Sequence, residues 1–274
     1  MNKNSKPFLW LLALASSFLL SSCEDSDGVI FSIEDDIKLG QQVSEQVDST
    51  YRAQHKLLER SSNANAFQAL DRIVNRILNS GQVKYQQQFP WTVNIIKEDT
   101  TLNAFATPGG HIYVYTGLIK YLEDEDHFAG VLAHEIAHAD KRHAAKQLQR
   151  DYGIALLLSV ALGNDPGTLQ QIAAQLTGSL AGLKFSRDAE TEADKFSVDY
   201  LGGTNYYACD GAAGFFVQLE QDAEQGGAPP EFLSTHPNPG NRIQKIEQQA
   251  AQDGCKTTSA PDTDFNQLKN ALKL

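Results

Sequence analysis

His134-Glu135-Ile136-Ala137-His138 is the most informative stretch of this chain. The pentapeptide lies between Phe128 and Gln149, where the one glycine or proline is Gly130. Val131, Leu132, Ile136 and Ala139 recur there at helical spacing, which predicts one helix across it. Residues four apart on a helix are separated by about 400° of rotation, so both imidazoles leave one face a turn apart, close enough to share a metal ion. Neutral imidazole nitrogens suit zinc at about 2.0–2.1 Å, and a catalytic zinc keeps one position for water. Glu135 sits beside the first histidine, where its carboxylate can reach that water, and is the candidate general base. His143, five residues beyond His138, points elsewhere on a continuous helix and reads as a surface residue or a partner of a ligand rather than a ligand.

Two histidines need a third ligand. The segment Ser186-Arg187-Asp188-Ala189-Glu190-Thr191-Glu192-Ala193-Asp194 is helical in pattern and puts Glu190 and Asp194 on one face, with Glu192 turned by roughly 200° from Glu190. One carboxylate can bind the metal while another accepts the free N–H of a ligand imidazole. Spacing alone does not choose between Glu190 and Glu192.

Nearer the N-terminus, Ser32 and Asp35 form a variant capping box that opens a first helix running to about Glu59. A second spans Ala66 to Leu78, with Phe67, Leu70, Ile73, Val74 and Ile77 on one face. The β signal is confined to Trp91–Ile96, Asn103–Ala106 and His111–Tyr115, the last preceded by Pro108-Gly109-Gly110. These make a small sheet of about three strands. Further helices are expected at 153–163, 168–183, 187–201, 211–224 and 242–251. The stretch Gly153–Gly163 reads as a buried core helix, and the tail, 256–274, as weakly structured. The fold class is therefore α+β, mostly α, with the sheet packed on the metal-binding helix.

The chain has 274 residues, 41% of them hydrophobic and 21% charged, enough for a sizeable core. Its 23 basic against 34 acidic side chains give −11, the wrong balance for nucleic acid. No stretch reaches the roughly 18 apolar residues of a spanning helix. Lys3 and Lys6 precede an apolar run from Phe8 to Leu20, the order of an export signal over residues 1–22. The string Leu20-Ser21-Ser22-Cys23 resembles a bacterial lipobox, in which Cys23 carries the lipid; an ordinary signal with an incidental cysteine is the alternative. Residues 23–33 then read as a tether and 34–255 as the folded domain. Cys209 and Cys255 are an even pair in an exported chain, which suggests one disulfide.

His134–His138, the downstream E-x-E-A-D, the Asn103-Ala104-Phe105-Ala106-x-Pro-Gly-Gly segment and the late Thr235-His236-Pro237…Arg242 are four motifs in one chain. Together they resemble the CAAX prenyl endopeptidase/HtpX-type zinc metallopeptidase family, most closely its periplasmic lipoprotein (LoiP/YcaL-like) branch, over about residues 34 to 250. The resemblance implies a zincin-like domain holding one zinc per chain through His134, His138 and Glu190. It makes Asp194 a partner of a ligand and places His236 and Arg242 near the metal. His236 would either stabilise an oxyanion or close the open zinc position. Asn103, Ala104, Phe105 and Ala106 would form a rim strand that binds extended peptide. The family often has Glu-Leu where this chain has Asp126-His127, a difference expected to affect the helix start. The implied function is a lipid-anchored endopeptidase facing the periplasm at the outer membrane, acting on unfolded or misassembled envelope proteins, with outer-membrane assembly machinery among the implied partners. A zinc-stabilised chaperone with latent or no protease activity is the alternative.

Overall fold

A computed structural model describes residues 31–177, 184–224, 231–237 and 240–274. The export signal, Cys23 and the last residues of the helix expected at 168–183 lie outside the described residues. The sheet has three strands, β1 (Thr92–Ile96), β2 (Ala104–Thr107) and β3 (His111–Tyr115), in the order β1-β3-β2. β1 pairs with β3 in parallel and β2 pairs with β3 antiparallel. The β2–β3 turn depends on Gly109 and Gly110, both at positive φ (75° and 86°), where a side chain would be strained.

Alternate strand residues feed two cores. Val93, Ile95, Ala104, Ala106, Ile112 and Val114 face one cluster, and Ile96, Phe105, Tyr113 and Tyr115 the other. On the first side lie α2 (Ala64–Leu78), α4 (Glu125–Asp140), α8 (Arg187–Thr204), α9 (Gly211–Glu224) and α12 (Thr263–Leu272). The second cluster is covered by α1 (Ile33–Ala53), α6 (Ile154–Ala161) and α7 (Pro166–Leu176). α1 opens with the expected capping box, the Ser32 hydroxyl accepting from the Asp35 N–H, but it stops at Ala53. The chain beyond it bridges Leu57 to Ile96 instead. α4 is the central element, with every residue except His127 buried. It approaches α9 so closely that a Cβ on Gly130 would lie 2.3 Å from the Ala212 nitrogen. A helix buried on all sides must bury its histidines and acids as well, and these then need partners.

Besides the early end of α1, the structure departs from the sequence reading in three places. The helix expected from Phe128 to Gln149 is two, α4 and α5 (His143–Tyr152), broken at Arg142 with φ 59°. No glycine or proline marks the break. It is held by the buried Arg142 guanidinium, which donates to Asp36 Oδ2 at 2.6 Å and to the carbonyls of Phe31 and Ser32 ahead of α1. Second, α6 is a surface helix. It buries Leu157, Val160 and Ala161 against α1, yet Leu162 is 66% exposed. Third, the tail expected to be weakly structured carries α12, with Phe265 stacked on Phe128 at 4.9 Å and Leu268 buried.

The first turn of α4 explains why that tail folds. Glu125, fully buried, accepts from the Asp264 and Phe265 N–H groups at 3.0 Å each, and so caps α12 from 139 and 140 positions away. It also accepts from the Tyr207 hydroxyl and from Arg76. Asp126 accepts from the N–H groups of Ala208 and Ala260, both at 2.7 Å, while α4 itself is capped by Asp124. Asp126 thus serves the attachment of neighbouring chain, while His127 serves the helix start, its N–H donating to Asp124 Oδ1 at 2.8 Å. Among the described residues no helix is long and apolar enough to cross a membrane.

Replacing Glu125 leaves the α12 N–H groups without their acceptor and takes from Arg76 one of its partners, Asp264 and the Tyr207 hydroxyl remaining. Glu125→Ala is expected to lower unfolding stability by about 3 kcal/mol in urea titrations. Metal uptake should persist, since Glu125 lies outside the His134–His138 cluster. Unchanged stability would show that the cap contributes nothing.

Candidate metal centre

α4 and α8 build the centre between them. His134 and His138 project from one face of α4, while Ile136, between them in sequence, packs into the core. α8 is started by Ser186, whose hydroxyl accepts from the Ala189 N–H, and its first turns bring in Glu190 and, one turn later, Asp194. α10 (Phe232–Thr235) ends in His236, and α11 (Arg242–Asp253) begins with Arg242. His134, Glu135, His138, Glu190, His236 and Arg242 are each at most 2% exposed.

Four groups converge: His134, His138, Glu190 and His236 have ligand atoms all within 4.8 Å of one another. His138 Nε2 lies 3.0 Å from His134 Nε2. Glu190 Oε2 is 3.4 Å from His134 Nε2, and Glu190 Oε1 is 3.4 Å from His138 Nε2. His236 Nδ1 lies 3.1 Å from Glu190 Oε1 and 3.4 Å from His134 Nε2. A tetrahedron with zinc-like bonds of about 2.0–2.1 Å has edges of about 3.3–3.4 Å, close to these separations.

The protons support the same occupant. His134 Nδ1 lies 3.0 Å from Asp194 Oδ1, and a carboxylate only accepts, so the neutral ring keeps its proton there and turns a bare Nε2 inward. Asp194 is itself held by Arg242, from Nε at 2.8 Å and Nη2 at 2.5 Å. Arg242 also reaches Glu190 Oε2 at 3.0 Å and stacks on Phe216. Three carboxylates (Glu135, Glu190, Asp194) against one guanidinium leave two negative charges in this buried space when the imidazoles are neutral. A divalent cation neutralises that surplus, and the donor set of three nitrogens and a carboxylate fits one.

Burial opposes charging His134, but its hydrogen bonds to Asp194 and Glu190 prevail and raise it to about 9. Burial drives His138 well below the ordinary histidine range. Glu190 is held well below the carboxylate range despite burial, by His236, His134 and His138. Burial raises Glu135, partly offset by His236 and His134. Glu135 has no side-chain hydrogen-bond partner; the Ala106 backbone N–H beside it tempers the rise, and one oxygen lies 3.5 Å from His236 Nε2. A buried carboxylate beside the cluster, free of side-chain hydrogen bonds, is placed to take a proton.

The structure thus brings together His134, Glu135, His138, Glu190, Asp194, His236 and Arg242. Glu192 points away from the cluster, its side chain 43% exposed. His143, read from the sequence as a surface residue or a partner of a ligand, is buried against a cluster histidine: the break at Arg142 turns its ring back onto His138, Nδ1 to Nδ1 at 3.0 Å. Asn103 precedes β2, and its carbonyl accepts from the Tyr115 N–H. By the alternation of an antiparallel ladder, the backbone groups of Ala104 and Ala106 then face away from β3. The Phe105 ring stacks on Tyr113 at 4.9 Å, in the core across the sheet from α4. Cys209 and Cys255 form a disulfide, with Cα atoms 6.2 Å apart, joining the α8–α9 connection to the end of α11.

Residues 64–250 match the sequence profile of Peptidase family M48. The chain belongs to this family. It is 31% identical over 172 residues to a putative beta-barrel assembly-enhancing protease of Vibrio cholerae, covering 60% of this chain and 35% of that one. It is 33% identical over 172 residues to the beta-barrel assembly-enhancing protease of Escherichia coli, with the same shares. Over 186 residues it is 32% identical to the mitochondrial metalloendopeptidase OMA1 of Schizosaccharomyces pombe, covering 65% of this chain and 51% of that one. The chain therefore spans about a third to a half of the length of these relatives. The M48 assignment accords with the mostly helical domain and its His-His-Glu-His cluster.

A cation entering this centre must displace the His134 proton. The sign follows from the raised value: the imidazolium stabilises the metal-stripped fold fully below its ordinary 6.5, and that contribution is lost as pH rises through about 9. Zinc affinity is accordingly expected to climb about tenfold per pH unit between 7 and 8.5, then level off. Titration against a competing chelator reads it, and a flat profile would contradict the arrangement.

Proposed function

We propose that this M48 chain is a lipid-anchored zinc endopeptidase of the periplasmic face of the outer membrane, cutting extended segments of unfolded or misassembled envelope proteins. One observation carries the catalytic part: the buried convergence of His134, His138 and Glu190, which holds two surplus negative charges once the imidazoles are neutral, with Glu135 free of side-chain hydrogen bonds beside them. Bound zinc would supply Lewis acidity to the water and the scissile carbonyl. Glu135, raised by burial, would remove a proton from that water and hand it to the departing amine. Asp194 and Arg242 hold His134 in the tautomer that leaves Nε2 free.

The substrate side rests on β2. The Ala104 and Ala106 backbone groups face away from β3, and an extended peptide that displaces the Asn103 side chain from the Ala104 N–H can pair with this edge as an added strand, reading little of its side chains. Folded proteins offer few such segments, which suits a role in quality control. The same rim is engaged by the chain's own α10, whose Phe232 N–H donates to the Leu102 carbonyl at 3.1 Å just ahead of β2. The Phe232 ring stacks on His236 at 4.3 Å.

The cell address is supported by the charged and apolar order of the first 22 residues, by Leu20-Ser21-Ser22-Cys23, and by relatives named for β-barrel assembly. Glu24, rather than aspartate, follows Cys23 and favours the outer membrane. Envelope proteins in transit to that membrane, and the machinery that assembles them, are the proposed partners.

One observation favours a second reading, a zinc-stabilised chaperone that rarely cuts. His236 Nδ1 stands at the corner of the cluster that a reacting water would need, and the whole centre is buried. Two variants separate the readings. Glu135→Gln is expected to retain zinc by elemental analysis while casein cleavage falls by about 10²-fold or more. Full activity in that variant would end the mechanism. His236→Ala should raise cleavage severalfold if the closed corner restrains a peptidase; no cleavage by either wild type or His236→Ala would favour the chaperone.

A further inference from the structure

His143 and Glu192 lie outside the cluster and take no part in the mechanism above, yet their geometry is as specific as that of Asp194. His143 is 3% exposed, and its Nδ1 lies 3.0 Å from Nδ1 of His138. Its other nitrogen, Nε2, lies 3.0 Å from Glu192 Oε2. Because the carboxylate can only accept, Nε2 of His143 carries a proton and donates it to Glu192. Neutral His143 then has a lone pair at Nδ1, and the proton between the two rings belongs to His138 Nδ1. That leaves His138 Nε2 bare, aimed at His134 Nε2 and Glu190 Oε1.

We infer that His143 and Glu192 are positioning residues that fix the tautomer and orientation of His138 for metal binding. They do for the second imidazole what Asp194 and Arg242 do for the first. The inference rests on the zinc reading of the centre. With the order of protons reversed, His138 would present an N–H to the cluster and could not ligate. The outer nitrogen of His138 meets an imidazole with a half-exposed carboxylate behind it, where that of His134 meets a carboxylate directly. Phe185, stacked on the His138 ring at 4.1 Å, fixes its plane but offers no acceptor.

Four variants test this in the full chain, with zinc alone as the probe. Affinity is measured by competition with a chromophoric chelator, and the melting temperature of the metal-stripped protein is recorded beside it. His143→Leu fills the space without an acceptor and should weaken zinc binding by about 10–100-fold. His143→Asn places a carbonyl oxygen near the lost Nδ1 and should restore most of that affinity. Glu192→Ala removes the half-exposed carboxylate at little structural cost and should weaken binding by about tenfold. Asp188→Ala, an exposed acid on the same helix, should change nothing.

Equal affinities for His143→Leu and His143→Asn, or an unaltered affinity for Glu192→Ala, would overturn the assignment. If His143→Leu fails to fold, Glu192→Ala alone decides between the outcomes. A wild-type protein that takes up no zinc would instead overturn the reading of the centre itself.

Discussion

Everything in this fold answers to a surplus of negative charge that has been taken out of water. Glu135, Glu190 and Asp194 are buried with Arg242 as the one permanent positive charge of the centre, and without a metal the imidazolium of His134 makes up part of the difference. Burying an uncompensated carboxylate costs several kcal/mol even after relaxation, so three carboxylates against one guanidinium around two imidazoles is not a state that a packed core adopts for stability. The arrangement makes physical sense when a dication sits at its focus. The apolar shell then acts in favour of the site, since a low-dielectric surround strengthens the attraction between ion and ligands.

Holding those groups together is the task of the surrounding elements. α4 is gripped on one side by the sheet and on others by α8 and α9, with Gly130 allowing the closest approach. α8 and α11 bring in the acids and the arginine, and the disulfide closes a span of 46 residues between their far ends. In a chain-entropy account such a closure is worth about 4 kcal/mol against the unfolded state. Two further clamps act at the ends of α4. Glu125 and Asp126 fasten the chain after α8 and the C-terminal helix to its start, and Arg142 fastens its end to α1 through Asp36.

How much was legible in the sequence depended on whether the deciding interaction was local. The pair His134 and His138, the acids of α8 and the alternation of β2 and β3 are written in neighbouring residues, and the structure places them as the spacing required. The break after α4 was not legible, because its cause is a guanidinium bonded to residues more than 100 positions earlier. Nor was α12, whose start is capped by a side chain from another helix. The choice between Glu190 and Glu192 had the same character. Rotation on α8 separates them, but which one meets the histidines depends on how α8 lies across α4.

That crossing gives the spacing of the acids on α8 its meaning. Glu190 and Asp194, a full turn apart, face α4, so one reaches the cluster and the other the outer nitrogen of His134. Glu192 leaves the opposite side and on a continuous α4–α5 helix would have nothing to meet. Because the chain turns back at Arg142, His143 is delivered to that side and connects Glu192 to the outer nitrogen of His138. A single helical segment therefore supplies one carboxylate of the cluster and, directly or through His143, the groups that meet the outer nitrogens of both imidazoles. A change in the pitch or seating of the first two turns of α8 would disturb all three at once, whereas a change in α11 would reach Glu190 and the His134 side but not His143. The clamp between Arg142 and Asp36, made by side chains that are themselves no part of the metal cluster, is what lets His143 complete the set.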